Sequence, residues 1–151
     1  MINSKIILLA LLVLILFLLF LHNKSEKFQN QLNVSGNPLQ ICSLDPLTGY
    51  KRNGFCELLD KDYGTHTVCA TVTTDFLKQQ QQLGNNLIDP SPQNNFPGLK
   101  PGDKWCLCAL RWKQGKDAGI APKVDLGGTH LKTLDVLGMS IDQLKLYSNT
   151  N

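Results

Sequence analysis

The chain opens on one unbroken apolar run and afterwards shows only short apolar clusters separated by turn residues. From Ile6 to Leu21 sixteen consecutive residues are apolar, with Lys5 before them and His22-Asn23-Lys24 behind. As a helix this run rises about 24 Å, close to a bilayer hydrocarbon core of roughly 30 Å once Lys5 and Lys24 reach toward the headgroups. It is apolar all round, whereas a helix packed on a soluble core needs a single apolar stripe. Leu18-Leu19-Phe20-Leu21 offers no small-x-small cleavage site, so residues 1–24 read as an uncleaved membrane anchor of the signal-anchor type. The expected partner of residues 6–21 is therefore the lipid bilayer.

Residues 25–31 are polar and read as a tether, and 32–151 as one domain. Turn signals crowd its first part: Asn37-Pro38, Asp45-Pro46-Leu47-Thr48-Gly49 and Asn53-Gly54. His66 to Thr73 is dense in β-branched residues and predicts a strand. Thr73 or Thr74 then caps a helix running to about Leu83 and ended by Gly84, with Phe76, Leu77 and Leu83 inward and Gln79 to Gln82 on its solvated side. A twenty-residue connection with prolines at 90, 92, 97 and 101 follows, a length more often functional than idle. Trp105 to Trp112 is apolar on both faces and predicts an interior strand, with Cys106, Cys108 and Leu110 on one side. A short helix over Lys113–Ala118, a strand near Val124–Leu126, a helix capped by Thr129 and a last helix opened by the Ser140/Gln143 capping box complete the pattern. The fold class is α+β: a small mixed or antiparallel sheet with three or four short helices and long loops, behind one transmembrane helix.

Charge narrows the function classes. Fifteen basic residues stand against twelve acidic ones. Without Lys5 and Lys24 the remainder is close to neutral, which argues against a nucleic-acid partner. Basic residues also flank the apolar run on both sides, so they do not orient it. No phosphate-binding glycine loop, nucleophile elbow or metalloprotease helix motif is present.

Five cysteines in a small domain is a high and odd number. A disulfide framework leaves one over, and reduced thiols or metal ligands fit equally well, so both readings stay open here. Candidate metal ligands are Cys42, Cys56, Cys106, Cys108 and His66, and zinc suits such a set. Candidate catalytic groups are Cys69, Cys106, His66 and His130, a thiolate and an imidazole being the usual pairing for nucleophilic chemistry. Arg52, Arg111 and Trp105 are candidates for holding a ligand. Two functions follow: a binding or structural module with a Cys/His cluster, or an enzyme whose long loop covers a pocket with a cysteine and a histidine. Sequence does not decide whether the protein is an enzyme.

The blocks Cys42-Ser43-x-x-Pro46-x-Thr48-Gly49, Arg52-x-Gly54-x-Cys56, Gly64-x-His66-Thr67-Val68-Cys69-Ala70, Phe96-Pro97-Gly98-Leu99-Lys100-Pro101-Gly102-Asp103, Trp105-Cys106-Leu107-Cys108-Ala109, Arg111-Trp112 and Thr129-His130 occur in one order. Together they resemble a mainly bacterial family known as domain of unknown function 2237, over about Asn33 to Tyr147. The resemblance brings no activity with it. Members usually lack the amino-terminal span, which implies a cytoplasmic thiol environment for the domain. Phe55 stands where the family has a second cysteine, Asn86, Ile88 and Asp89 where an acidic residue and a Ser-Thr pair are usual, and Gly115 where a helix former is usual.

Overall fold

A computed structural model describes residues 4–29 and 31–149. The chain divides between Gln31 and Leu32 into two units. The first is a single helix, α1 (Ser4–Gln29), in which Lys5–His22 is long and apolar enough to cross a membrane. Its backbone stays helical to Gln29, so most of the expected tether is helix.

The second unit is α+β. A three-stranded antiparallel sheet is built from β1 (Val68–Thr71), β2 (Lys104–Leu107) and β3 (Lys123–Val124) in the order β2-β1-β3. Helices α2 (Thr74–Gln82), α3 (Ala109–Asp117), α4 (Lys132–Leu137) and α5 (Ile141–Lys145) accompany it. Successive strand residues face opposite ways. Val68, Ala70, Trp105, Leu107 and Val124 join the main core with Phe76, Leu77, Trp112 and Leu144, whereas Cys69 and Cys106 belong to a separate buried cluster with Cys42 and Cys56.

Local chemistry explains most boundaries. The Thr73 hydroxyl accepts from Phe76 N at the start of α2, and Gly84, two residues beyond its end, takes a left-handed φ of 76°. Ser140 and Gln143 form the expected capping box on α5. The connection from Gly84 to Asp103 carries only a 3-10 turn at Pro92–Asn94, closed by backbone bonds between Ser91 and Phe96.

Four expectations are corrected. First, the strand expected over Trp105–Trp112 ends at Leu107, and α3 begins at Ala109, so Cys106 and Cys108 do not share a strand face. Ala109, Trp112 and Gly115 are the buried positions of that helix, a spacing of three that straddles the end of the apolar run. Second, β2 is an edge strand and β1 the central one. Third, Gln80 is buried: its carbonyl accepts from Asn85 Nδ2 at 2.9 Å, while Leu83 is exposed. Fourth, Thr129 caps no helix. α4 starts after Leu131, and His130 lies in a bridge to Asn33 before it.

Gly115, which the resemblance marks as a departure, has a packing reason. A Cβ there would meet the Phe76 ring at 2.7 Å, so the helix comes close to α2 only because this side chain is missing.

Candidate functional site

The segment from Leu39 to Thr67 contains no α-helix and no strand of the sheet, so something other than secondary structure must hold it. Two disulfides do so. Cys42 is joined to Cys69 and Cys56 to Cys106, which ties the segment to β1 and β2. Cys69 and Cys106 are directly opposite in the β1/β2 register. Neither gives its N–H to the other strand: Cys69 N donates to Thr129 Oγ1 at 3.1 Å and Cys106 N to Thr48 Oγ1 at 2.8 Å. They therefore form a non-hydrogen-bonded pair, the kind whose side chains stand closest. All four half-cystines are buried, between 0% and 5% exposed.

Thr48 and Thr129 were not legible as site residues, since threonine in a turn has ordinary local explanations. Both are fully buried. The Thr129 hydroxyl also donates to Asp125 O at 2.7 Å. Thr48→Val keeps the shape and leaves the Cys106 N–H without its acceptor, so it is expected to cost about 1–3 kcal/mol. Chemical denaturation of wild type and variant, with the disulfides kept intact, checks this.

The turn after β3 seats Cys69 from the other side. A Cβ on Gly128 would come within 3.0 Å of both the Cβ and the sulfur of Cys69, so the backbone there packs directly on the disulfide. Asp125 holds that turn, its Oδ1 accepting from Gly127 N at 3.1 Å and Gly128 N at 3.2 Å, and its Oδ2 pairing with Lys104 at 2.7 Å. Desolvation raises its pKa, but the hydrogen bond from Lys104 and those from the two glycines outweigh it, and the net direction is downward. A carboxyl depressed on folding stabilises the fold above its unfolded pKa, about 3.9, and loses that contribution as pH falls through the folded value. The stability gap between wild type and Asp125→Asn is thus expected to be widest above about pH 5 and to narrow on acidification. Denaturation midpoints across that range check it.

Next to the disulfides lies a polar and aromatic junction between two loops. Arg52, with a left-handed φ of 53°, donates from Nη1 to Gly49 O at 2.6 Å, from Nε to Asn95 O at 2.9 Å and from Nη2 to Asn94 O at 3.0 Å. Its guanidinium lies 5.0 Å above the Trp105 ring, and Phe96 meets the same ring edge-on at 5.3 Å. Partial burial lowers its pKa, though an arginine stays charged at neutral pH. Arg52 and Phe96 line an open groove of about 630 Å³ with Pro46, Leu47, Pro92 and Pro97. A second hollow of about 490 Å³ shares Asp45 and Pro46 with it and carries Lys100 and Asp103. Arg52 thus joins the turn after Cys42 to the proline-rich loop, and two of its N–H donors are not used by these bonds.

The other candidates are dispersed. His66 Nδ1 is 2.6 Å from Asp62 Oδ1, and its own N–H donates to Asp62 Oδ2 at 2.7 Å, so a buried carboxylate fixes a partly exposed imidazole. His130 is buried, and its Nδ1 accepts from Lys132 N at 3.0 Å, which puts the proton of the neutral ring on Nε2. Trp105 is buried beneath Arg52 and supports the groove from below. Arg111 reaches Gln114 of its own helix at 3.2 Å. Cys108 is the free cysteine among the described residues, half-buried at the entrance to α3.

For the metal set, the sulfurs of Cys42, Cys56 and Cys106 lie within 4.8 Å of one another. Cys108 and His66 are not in that group. In the disulfide form the grouped sulfurs carry no thiolate, the state that zinc requires. The same holds for Cys69 and Cys106 as nucleophiles.

No curated protein sequence matches the chain at a significant level. The family described as "Uncharacterized protein conserved in bacteria (DUF2237)" matches residues 32–148, nearly the whole second unit. The segment bearing both disulfides, the sheet and the Arg52 junction all fall inside that match, and the chain belongs to the DUF2237 family.

Proposed function

We propose that the protein is a membrane-anchored binding module whose ligand seat is the groove at Arg52, with the disulfides as its structural support. The observation that carries this reading is the Arg52 junction: one guanidinium ties two irregular loops together, rests on Trp105 and still has donors to offer. Irregular loops held rigid by cross-links suit recognition, because little ordering is left to be done on binding. Pro46, Leu47, Phe96 and Pro97 supply an apolar lining beside that charge. The ligand class that matches is an apolar group bearing a carboxylate or similar anion.

Anchoring by α1 is supported by its exposed apolar side chains from Ile6 to Leu21, a surface that water does not tolerate and lipid does. Two buried disulfides suit an oxidising compartment, which supports a non-cytoplasmic side for the domain, opposite to what the family resemblance implies. In this oxidised form the four bonded cysteines offer zinc no thiolate.

Screening apolar carboxylic acids against the full chain in detergent micelles tests the reading. Saturable thermal stabilisation of wild type, lost in Arg52→Lys, is expected. Stabilisation that survives unchanged in Arg52→Lys, or none at all, would contradict it.

A further inference from the structure

The two disulfides lie side by side, and backbone hydrogen bonds act beside the sulfur–sulfur bonds in positioning them. Cys42 N donates to Gly54 O at 2.8 Å and Gly54 N to Thr48 O at 2.9 Å, which pairs the two cysteine-bearing loop segments. Thr48 in turn holds the Cys106 N–H, and Thr129 the Cys69 N–H. Gln40 N donates to Gly127 O at 2.9 Å, fixing the chain just before Cys42 to the turn that packs on Cys69. The strand register sets Cys69 beside Cys106. Hydrogen bonds and strand register thus help the two disulfides to bring four cysteines to one buried place.

We propose that with both disulfides reduced, Cys42, Cys56, Cys69 and Cys106 form a tetrathiolate site for one zinc ion. A tetrahedral zinc with bonds of about 2.3 Å needs sulfurs roughly 3.8 Å apart. The sulfurs of Cys42, Cys56 and Cys106 already fall within 4.8 Å of one another, the Cys69 sulfur lies outside that group but is bonded to that of Cys42, and after reduction rotation about the Cα–Cβ bonds separates the formerly bonded pairs. The place is closed to water, as in structural rather than catalytic zinc sites. Linear spacings of 14, 13 and 37 residues hide it from a motif search, because strand register replaces the usual knuckle. Binding would release the thiol protons to solvent, with no change in oxidation state. Cys108 is outside the set. The site does not rest on the groove at Arg52; it forms where an external dithiol or phosphine gives two electrons to each disulfide and is itself oxidised, a condition that the oxidising compartment assigned above does not supply.

Cobalt(II) is the probe. The full chain in detergent, reduced with a phosphine under anaerobic conditions, is expected to take up one cobalt per chain, with the intense visible bands of tetrahedral cobalt thiolate, and to lose them on adding zinc. Cys108→Ser is expected to behave as wild type, and Cys56→Ser to lose the bands. If the reduced chain loses its near-ultraviolet circular dichroism, zinc is expected to restore it. The proposal is overturned if reduced wild type gives no tetrahedral cobalt spectrum, if Cys56→Ser gives the same spectrum, or if zinc fails to restore a lost signal.

Discussion

Cys56→Ser is expected to lower the stability of the oxidised domain by about 2–5 kcal/mol, a fall in melting temperature on the order of 10 °C or more. The bond it removes spans 50 residues and ties an otherwise irregular segment to the edge strand β2. Closing so long a loop in the unfolded chain accounts for most of the effect in the chain-entropy description. Cys106 is left as a buried thiol beside an intact Cys42–Cys69 bond, which adds little cost of its own. Cys108→Ser is the control, since this half-buried cysteine has no sulfur partner, and a change within about 0.5 kcal/mol is expected. Denaturant titration of both variants under non-reducing conditions checks the contrast. Equal small effects would mean that the disulfides do not support the fold.

Trp112→Ala is the second large effect, expected at about 3–5 kcal/mol. Trp112 is fully buried on α3, meets Tyr147 edge-on at 5.2 Å, and donates from Nε1 to Pro122 O at 2.9 Å. It locks α3 to the chain that leads into β3. Trp112→Phe separates the two contributions. It keeps most of the ring packing and orphans the Pro122 carbonyl, so about 1–3 kcal/mol is expected. The same denaturation series measures both. An effect near zero for Trp112→Ala would place this side chain outside the core.

Much of the fold was legible where one local rule acted alone. β1 follows from its β-branched run, α2 from Thr73 and Gly84, and α5 from its capping box. The boundary between β2 and α3 was not, because Trp105 to Trp112 is apolar at nearly every position and supports either period. The inward positions Ala109, Trp112 and Gly115 carried the helical signal, masked by the cysteines before them. Thr129 misled for a different reason. Its hydroxyl fits a helix cap, yet it is committed to Cys69 N and Asp125 O across the fold. A glutamine run resembles a wet face, which hides Gln80, whose buried carbonyl is satisfied by Asn85.

For the site, the residue types were legible and their grouping was not. Arg52 and the proline-rich loop were both singled out, and they do meet. Cysteine pairing is a property of the closed fold: Cys56 finds Cys106 rather than its nearer neighbours because strand register and the Thr48 hydrogen bonds bring them together. His66 and His130 are held apart from the cysteines, by Asp62 and by the Lys132 N–H.

Counting reactive thiols decides whether the domain is held by two disulfides. Cells are lysed with an alkylating agent present, and the full chain is denatured without reductant, alkylated to completion and weighed by mass spectrometry. One alkylated cysteine, Cys108, is expected, with the other four labelled only after reduction and mapped by peptide analysis to the pairs 42–69 and 56–106. Five alkylated cysteines before reduction, or a different pairing, would contradict it.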